Sequence, residues 1–139
     1  MHAASPFALT LAVQIHLTCA VLALLLGPLA LLARKGSPAH RGWGRIWVVA
    51  MVGASLSALA IRDPRWAATG GLTPIHLLCV VALVGVAAGV RLALRGRIVA
   101  HRRTMLRTWV GACVVAGVFA FAPGRYLGDL LWHHGLGLT

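Results

Sequence analysis

Four histidines lie within or beside the apolar segments of this chain, and their positions repeat. His16 is followed 60 residues later by His76, and His40 is followed 61 residues later by His101. The neighbours of both pairs repeat as well, with a cysteine three positions after His16 and His76 and an arginine directly after His40 and His101: Cys19, Cys79, Arg41 and Arg102. Neutral imidazole binds transition metals and can fill both axial positions of haem iron. The pattern therefore indicates two paired sites for a metal or a haem.

The segments that carry these histidines are long and apolar. The chain has 139 residues, of which 60% are hydrophobic and 11% charged, and its mean hydropathy is +0.87. Four runs reach about 20 apolar residues each, the length that crosses a bilayer. The sequence predicts an all-α, integral membrane four-helix bundle that forms a single domain over residues 1–139, with helices at approximately 7–33, 38–61, 73–94 and 98–122.

The repeat divides these helices into two tandem hairpins, helices 1–2 and helices 3–4. Because each copy crosses the membrane twice, both copies enter from the same side and form a parallel repeat. Ser37-Pro38 and Thr73-Pro74 each read as an N-cap followed by proline at the first helical position. Gly85-x-x-x-Gly89 predicts a close contact between helices.

The distribution of basic residues predicts the topology. Ten of the 13 lie in or beside the connections within the two hairpins: Arg34, Lys35, Arg41, Arg45, Arg91, Arg95, Arg97, Arg102, Arg103 and Arg107. The opposite side carries the remaining three and both acidic residues: Arg62, Arg65, Arg125, Asp63 and Asp129. The bias puts the basic connections in the cytoplasm and both termini outside it. We therefore expect a multi-pass protein of the bacterial cytoplasmic (inner) membrane. Its basic residues would contact the anionic headgroups of the lipid bilayer and not nucleic acid.

This topology sorts the histidines into two layers. His16 and His76 lie toward the outer side on helices 1 and 3, and His40 and His101 lie at the cytoplasmic side on helices 2 and 4. Alternate helices of an up-down bundle face each other diagonally, so each pair could bracket a flat cofactor. The prediction is haem b, one or two, ligated by His16 with His76 and by His40 with His101.

The residues beside these histidines predict how such a haem would be bound, and two histidine ligands predict its function. Arg41 and Arg102 would hold its propionates. Its function would be electron transfer, with a quinone or another redox protein as the partner.

Other interpretations remain open. His16 with Cys19, and His76 with Cys79, are three positions apart on one helix face and together form a ligand set for copper or zinc. The histidines could also pack against partners in a homo-oligomer or in a membrane complex of which this chain is an accessory subunit. The chain has no glutamate and no nucleotide-binding or triad motif, so whether it is an enzyme stays open.

Several stretches of the chain resemble a family of predicted bacterial membrane proteins known as domain of unknown function 2306. They are His16 followed by Gly27-Pro28-Leu29, His40-Arg41-Gly42-Trp43-Gly44-Arg45, Gly71-Leu72-Thr73-Pro74-Ile75-His76 and His101-Arg102-Arg103-Thr104-Met105. The resemblance covers the chain after about residue 10, and Trp47 stands where the family is expected to have tyrosine. It implies an architecture and no activity. The histidine layout is also similar to that of cytochrome b-561 electron-transfer proteins, by analogy of architecture.

Overall fold

The computed structural model describes residues 10–62, 68 and 70–121, and the regular structure within them is helical. Three uninterrupted helices come first: α1 (Leu11–Leu32), α2 (Pro38–Ala60) and α3 (Pro74–Leu94). The fourth helix continues from α4 (Ile98–Trp109) through a π-helical turn (Val110–Val115) into α5 (Ala116–Ala120). The predicted all-α class with four helices is confirmed.

Some of the sequence predictions fall outside this part of the chain. The predicted start of the first helix at residue 7 and the predicted end of the fourth at residue 122 lie outside the described residues. So do Arg65, Arg125, Asp63 and Asp129.

Local sequence signals set the starts of α2 and α3. Pro38 opens α2, and the Ser37 hydroxyl accepts the backbone N–H of His40 at 3.1 Å. Pro74 opens α3, where the Thr73 backbone N–H donates to Nδ1 of His76 at 3.0 Å. In both cases a proline with a preset φ angle follows a capping residue.

The four helices pack as an up-down bundle. The main contacts join α1 to α2, α2 to α3, α3 to α4, and α1 to α4 and the π-helical turn. Helices α1 and α3 therefore lie on one diagonal of the bundle, and α2 and α4 lie on the other. In the part of the chain that the structure describes, the core is formed by eight buried side chains: Ala23, Leu26, Trp47, Ala50, Met51, Ala82, Val86 and Met105.

Most of the apolar surface of the bundle points outward. Side chains such as Leu25, Val49 and Leu77 are 60%, 71% and 68% exposed. Among the described residues, three helices are long and apolar enough to cross a membrane: Leu11–Leu32, Pro38–Ala60 and Ile75–Leu94. An apolar exterior around a small core is what a bilayer requires, since lipid replaces water as the solvent for these side chains.

Glycine allows the second hairpin to close tightly. A Cβ atom at Gly85 would collide with the Thr108 side chain, and one at Gly89 would lie 2.6 Å from Cε of Met105. The predicted close contact at Gly85-x-x-x-Gly89 is therefore confirmed. Gly111 has open space around it instead, so not every small residue of the fourth helix marks a contact.

Pro28 joins α1 to the fourth helix. Proline has no N–H, so the carbonyl of Leu24, four residues earlier, loses its donor within the helix. The indole Nε1 of Trp109 donates to this oxygen at 3.4 Å, and the Trp109 ring covers Gly27 so closely that a Cβ atom there would have no room. The Gly27-Pro28 step is thus a docking point for the side chain of Trp109.

Candidate functional site

The two basic connections meet at one end of the bundle, where His40 and His101 are in contact. Their ring centroids are 6.3 Å apart and the ring planes are nearly perpendicular, at 87°. We call this region the basic end, defined by the ten basic residues of and beside the two connections: Arg34, Lys35, Arg41, Arg45, Arg91, Arg95, Arg97, Arg102, Arg103 and Arg107. The contact places one histidine from each hairpin at the same depth.

Each histidine of this pair is held by the preceding helix. Nδ1 of His40 is 2.8 Å from the backbone oxygen of Ala30, and Nδ1 of His101 is 2.8 Å from that of Gly89. A carbonyl oxygen only accepts, so both Nδ1 atoms carry the proton and donate. In the neutral ring, the lone pair is then on Nε2. The hydrogen bond is the same in both hairpins, which extends the sequence repeat to the structure.

The other two histidines are bonded to α2. Nδ1 of His16 donates to the backbone oxygen of Ala54 at 2.8 Å. His76 is buried, and its two ring nitrogens are both engaged: Nδ1 accepts the Thr73 N–H, and Nε2 donates to the Ile61 oxygen at 2.9 Å. His76 therefore ties the start of α3 to the end of α2.

These bonds place the outer histidines at two depths. Ala54 and Ile61 are seven residues apart, which is about 10 Å along a helix that rises 1.5 Å per residue. The structure thus brings His40 and His101 together and anchors His16 and His76 separately along α2. A ligand role for any of the four stays a prediction.

The cysteines next to the outer histidines lie on different elements of the bundle. Sγ of Cys19 faces Gly53 of α2, and Sγ of Cys79 donates to the Ile75 oxygen of its own helix at 3.5 Å. Over residues 10–62, 68 and 70–121, no three His, Cys, Asp or Glu side chains lie close enough to hold a metal ion. The copper or zinc set of His16, His76, Cys19 and Cys79 stays a prediction.

Two tryptophans to which the sequence analysis assigned no role fix the position of α1. Nε1 of Trp47 donates to the Ala23 oxygen at 3.0 Å, and Trp109 donates to the next carbonyl, that of Leu24. Trp47 is only 4% exposed. Pro28 is the signal that the sequence offered, because it frees a carbonyl four residues earlier. The proline does not show which side chain donates to the freed carbonyl.

The positive charge of the basic end has no internal counter-charge in the described structure. Arg41 and Arg102 are exposed, and residues 10–62, 68 and 70–121 contain no carboxylate side chain. Partial burial lowers the pKa of the Lys35 amine, and the Arg102 guanidinium nearby lowers it further. Clustered cations with no carboxylate side chain among the described residues make this end a candidate anion site.

A helical bundle with several helices of membrane-spanning length defines a class, the polytopic membrane proteins. Within this class the chain belongs to the family described as predicted membrane protein (DUF2306), whose model matches residues 13–124. The family predicted from the sequence is thereby confirmed. No curated protein and no solved structure matches the chain.

Proposed function

We propose that this membrane protein binds haem b and transfers electrons, with His40 and His101 as the axial ligands. One observation carries the proposal: the two rings lie 6.3 Å apart and nearly perpendicular, and each donates from Nδ1 to a backbone carbonyl, so that in the neutral rings Nε2 carries the lone pair that a metal would need. A backbone carbonyl on the second ring nitrogen is a common companion of metal-bound histidine, because it fixes the tautomer and the ring orientation.

The separation of the rings supports the same assignment. Two imidazoles that bound one metal through nitrogens at about 2 Å would have their ring centres roughly 6 Å apart or closer. The observed separation is 6.3 Å. Two neutral imidazoles at this spacing have the donor chemistry that would hold a haem iron.

The surroundings of the pair suit an anionic haem. A haem with two axial imidazoles exchanges single electrons and offers no free position to oxygen. Arg41 and Arg102 follow the two ligands in the chain, and their guanidinium groups would form charge-assisted hydrogen bonds with the propionates. The ligands themselves sit in the first turns of α2 and α4, where Ala30 and Gly89 of the neighbouring helices orient them.

A second haem between His16 and His76 is a separate part of the proposal. His16 has the same Nδ1–H to carbonyl bond as the inner pair, so its Nε2 is available. His76 would first have to release either the Thr73 N–H or the Ile61 oxygen. The support for this second site is therefore weaker than for the inner one.

The setting that we propose is the cytoplasmic membrane of a bacterium. The basic end would face the cytoplasm and both termini would lie outside it, following the charge bias. A quinone in the bilayer, or a redox protein in a larger membrane complex or homo-oligomer, would exchange electrons with the haem.

The test is the reduced-minus-oxidised absorption spectrum of the detergent-purified protein from haem-replete cells. We expect a b-type signal that is lost in His40→Ala and in His101→Ala. His101→Met is the sharper variant, because methionine in place of one histidine keeps the haem and raises its midpoint potential.

The matched control is His16→Ala, which removes a histidine with the same type of hydrogen bond but outside the inner pair. It should leave the inner signal intact, and a partial loss would show a second haem. Colourless wild-type protein would contradict the haem proposal and leave the role of an accessory membrane subunit.

A further inference from the structure

A cavity of about 480 Å³ opens at the basic end, beside the histidine pair. Three cationic and three apolar side chains line it: Lys35, Arg102, Arg103, Ile98, Val99 and Leu106. Lys35 comes from the α1–α2 connection, and the other five come from α4. The cavity therefore lies where the two hairpins meet, and it combines charge with hydrocarbon surface.

Lys35 is anchored to the end of α1, and Arg102 lines the cavity from α4. Nζ of Lys35 donates to the backbone oxygens of Ala30 and Leu31 at the end of α1. Arg102 follows His101, and successive helix residues are turned by about 100°, so Arg102 faces the cavity while His101 bonds to α3. Lys35 and Arg102 line the same cavity, and the pKa of the Lys35 amine is lowered by partial burial and, to a smaller extent, by the Arg102 guanidinium.

The described part of the chain, residues 10–62, 68 and 70–121, contains no carboxylate side chain that could neutralise this group. Three cations that line one cavity, with no carboxylate among the described residues, have the charge complementarity that a phosphate needs.

The apolar part of the lining continues along the fourth helix. Ile98 and Val99 are 51% and 68% exposed at its start. Leu106, Val110 and Val114 are 43%, 40% and 37% exposed and follow one another at intervals of four residues, which keeps them on one side of the helix. This stripe runs along the outer surface of the fourth helix, from the cationic cavity toward the middle of the helix. An acyl chain runs in the same direction from a headgroup at the membrane surface.

We propose that this cavity binds one anionic phospholipid. Lys35, Arg102 and Arg103 hold its phosphate, and an acyl chain lies along the Leu106, Val110 and Val114 stripe. The inference does not rest on the haem proposal, because Lys35 and Arg103 also line the cavity and have no part in the proposed haem site.

The test measures lipid binding to the purified full chain by native mass spectrometry in a neutral detergent. Phosphatidylglycerol and phosphatidylcholine with identical acyl chains are supplied at equal concentration. We expect one phosphatidylglycerol to be retained, with a preference on the order of tenfold over phosphatidylcholine. Removing one cation should reduce this preference about fivefold, the effect of a single basic residue beside an anionic headgroup.

The variants are Arg102→Gln and Arg103→Gln, and the matched control is Arg95→Gln, an exposed arginine at the same end that does not line the cavity. The preference should fall in the first two and persist in the control. An equal fall in the control would overturn the proposal, because it would show a general effect of net charge. Equal retention of both lipids by the wild-type protein would overturn it without any variant.

Two further experiments distinguish a bound phospholipid from a bound free phosphate, and loss of lipid from loss of haem. Inorganic phosphate and glycerol phosphate at the concentration of the lipid should leave the bound lipid in place, since neither has an acyl chain for the stripe. Displacement by either would assign the cavity to a free phosphate and overturn the lipid proposal. His40→Ala protein should retain the lipid, so that loss of haem and loss of lipid can be distinguished.

Discussion

His76 differs from the other three repeated histidines because both of its ring nitrogens are hydrogen-bonded inside the protein. Nδ1 accepts the Thr73 N–H, as a glutamate or glutamine does at the third position of a helix, and Nε2 donates to the Ile61 oxygen. His16, His40 and His101 each use Nδ1 for a backbone carbonyl and keep the Nε2 lone pair. Residues that look equivalent in the repeat thus have different capacities to bind a metal.

This difference makes a prediction for two substitutions at one site. His76→Leu should destabilise the bundle by about 1–3 kcal/mol, because it leaves the half-buried Thr73 N–H and Ile61 oxygen without their partner. His76→Gln should recover most of this loss, since an amide can accept from Thr73 and donate to Ile61. The measurement is the unfolding midpoint in detergent.

The same pair of variants also reports on ligation. If His76 is a haem ligand, glutamine will restore stability without restoring the second haem signal. Equal stability of the leucine and glutamine variants would show that the capping role is wrong.

At the scale of the helices, α1 and the fourth helix are coupled through the proline in α1. Trp109→Phe removes the donor for the Leu24 oxygen and should cost about 1–2 kcal/mol of stability. Pro28→Ala supplies a backbone N–H that can bond to the same oxygen. The loss from Trp109→Phe should therefore shrink in the Pro28→Ala background, and a double-mutant cycle in detergent measures the coupling. Additive effects of the two changes would contradict this role of the proline.

The helix starts could be predicted because they depend on neighbouring residues alone. Ser37 and Thr73 each stand before a proline, and a few bonds along the chain then fix the beginning of the helix. The π-helical turn could not be predicted. The sequence of its segment, Val110–Val115, is apolar and predicts an α-helix. A backbone hydrogen bond that spans five residues instead of four does not change the hydropathy of the segment.

The candidate site was predictable only in part, for a related reason. The repeat and the helix order place His40 and His101 on diagonal helices at one end of the bundle. The carbonyls that hold them, those of Ala30 and Gly89, depend on how each helix is rotated against its neighbour. The bond from His76 to Ile61 depends on the same rotation, and a sequence pattern specifies which face is apolar but not the rotation of one helix against another.

At the scale of the whole molecule, the basic residues gather at one end of the bundle, and the surfaces of the helices are apolar along its length. Ten of the 13 basic residues gather at the end where the histidine pair and the proposed lipid cavity lie. The surfaces of three helices are apolar over a membrane-spanning length. Both proposals therefore concern one end of the protein, and its orientation in the membrane decides from which side each site can be reached.

That orientation can be tested with two exposed alanines, one at the start of α2 and one in the connection that follows α2. Ala39 lies in the first turn of α2, at the basic end, and Ala68 lies in the connection between α2 and α3. Each is changed to cysteine in a chain whose three native cysteines are replaced by alanine. A membrane-impermeant maleimide should label Ala68→Cys in intact spheroplasts and Ala39→Cys only in inverted vesicles, because the basic end is expected to face the cytoplasm. Labelling of both variants in detergent is the control for accessibility, and the reverse pattern in membranes would place the histidine pair and the lipid cavity outside the cytoplasm.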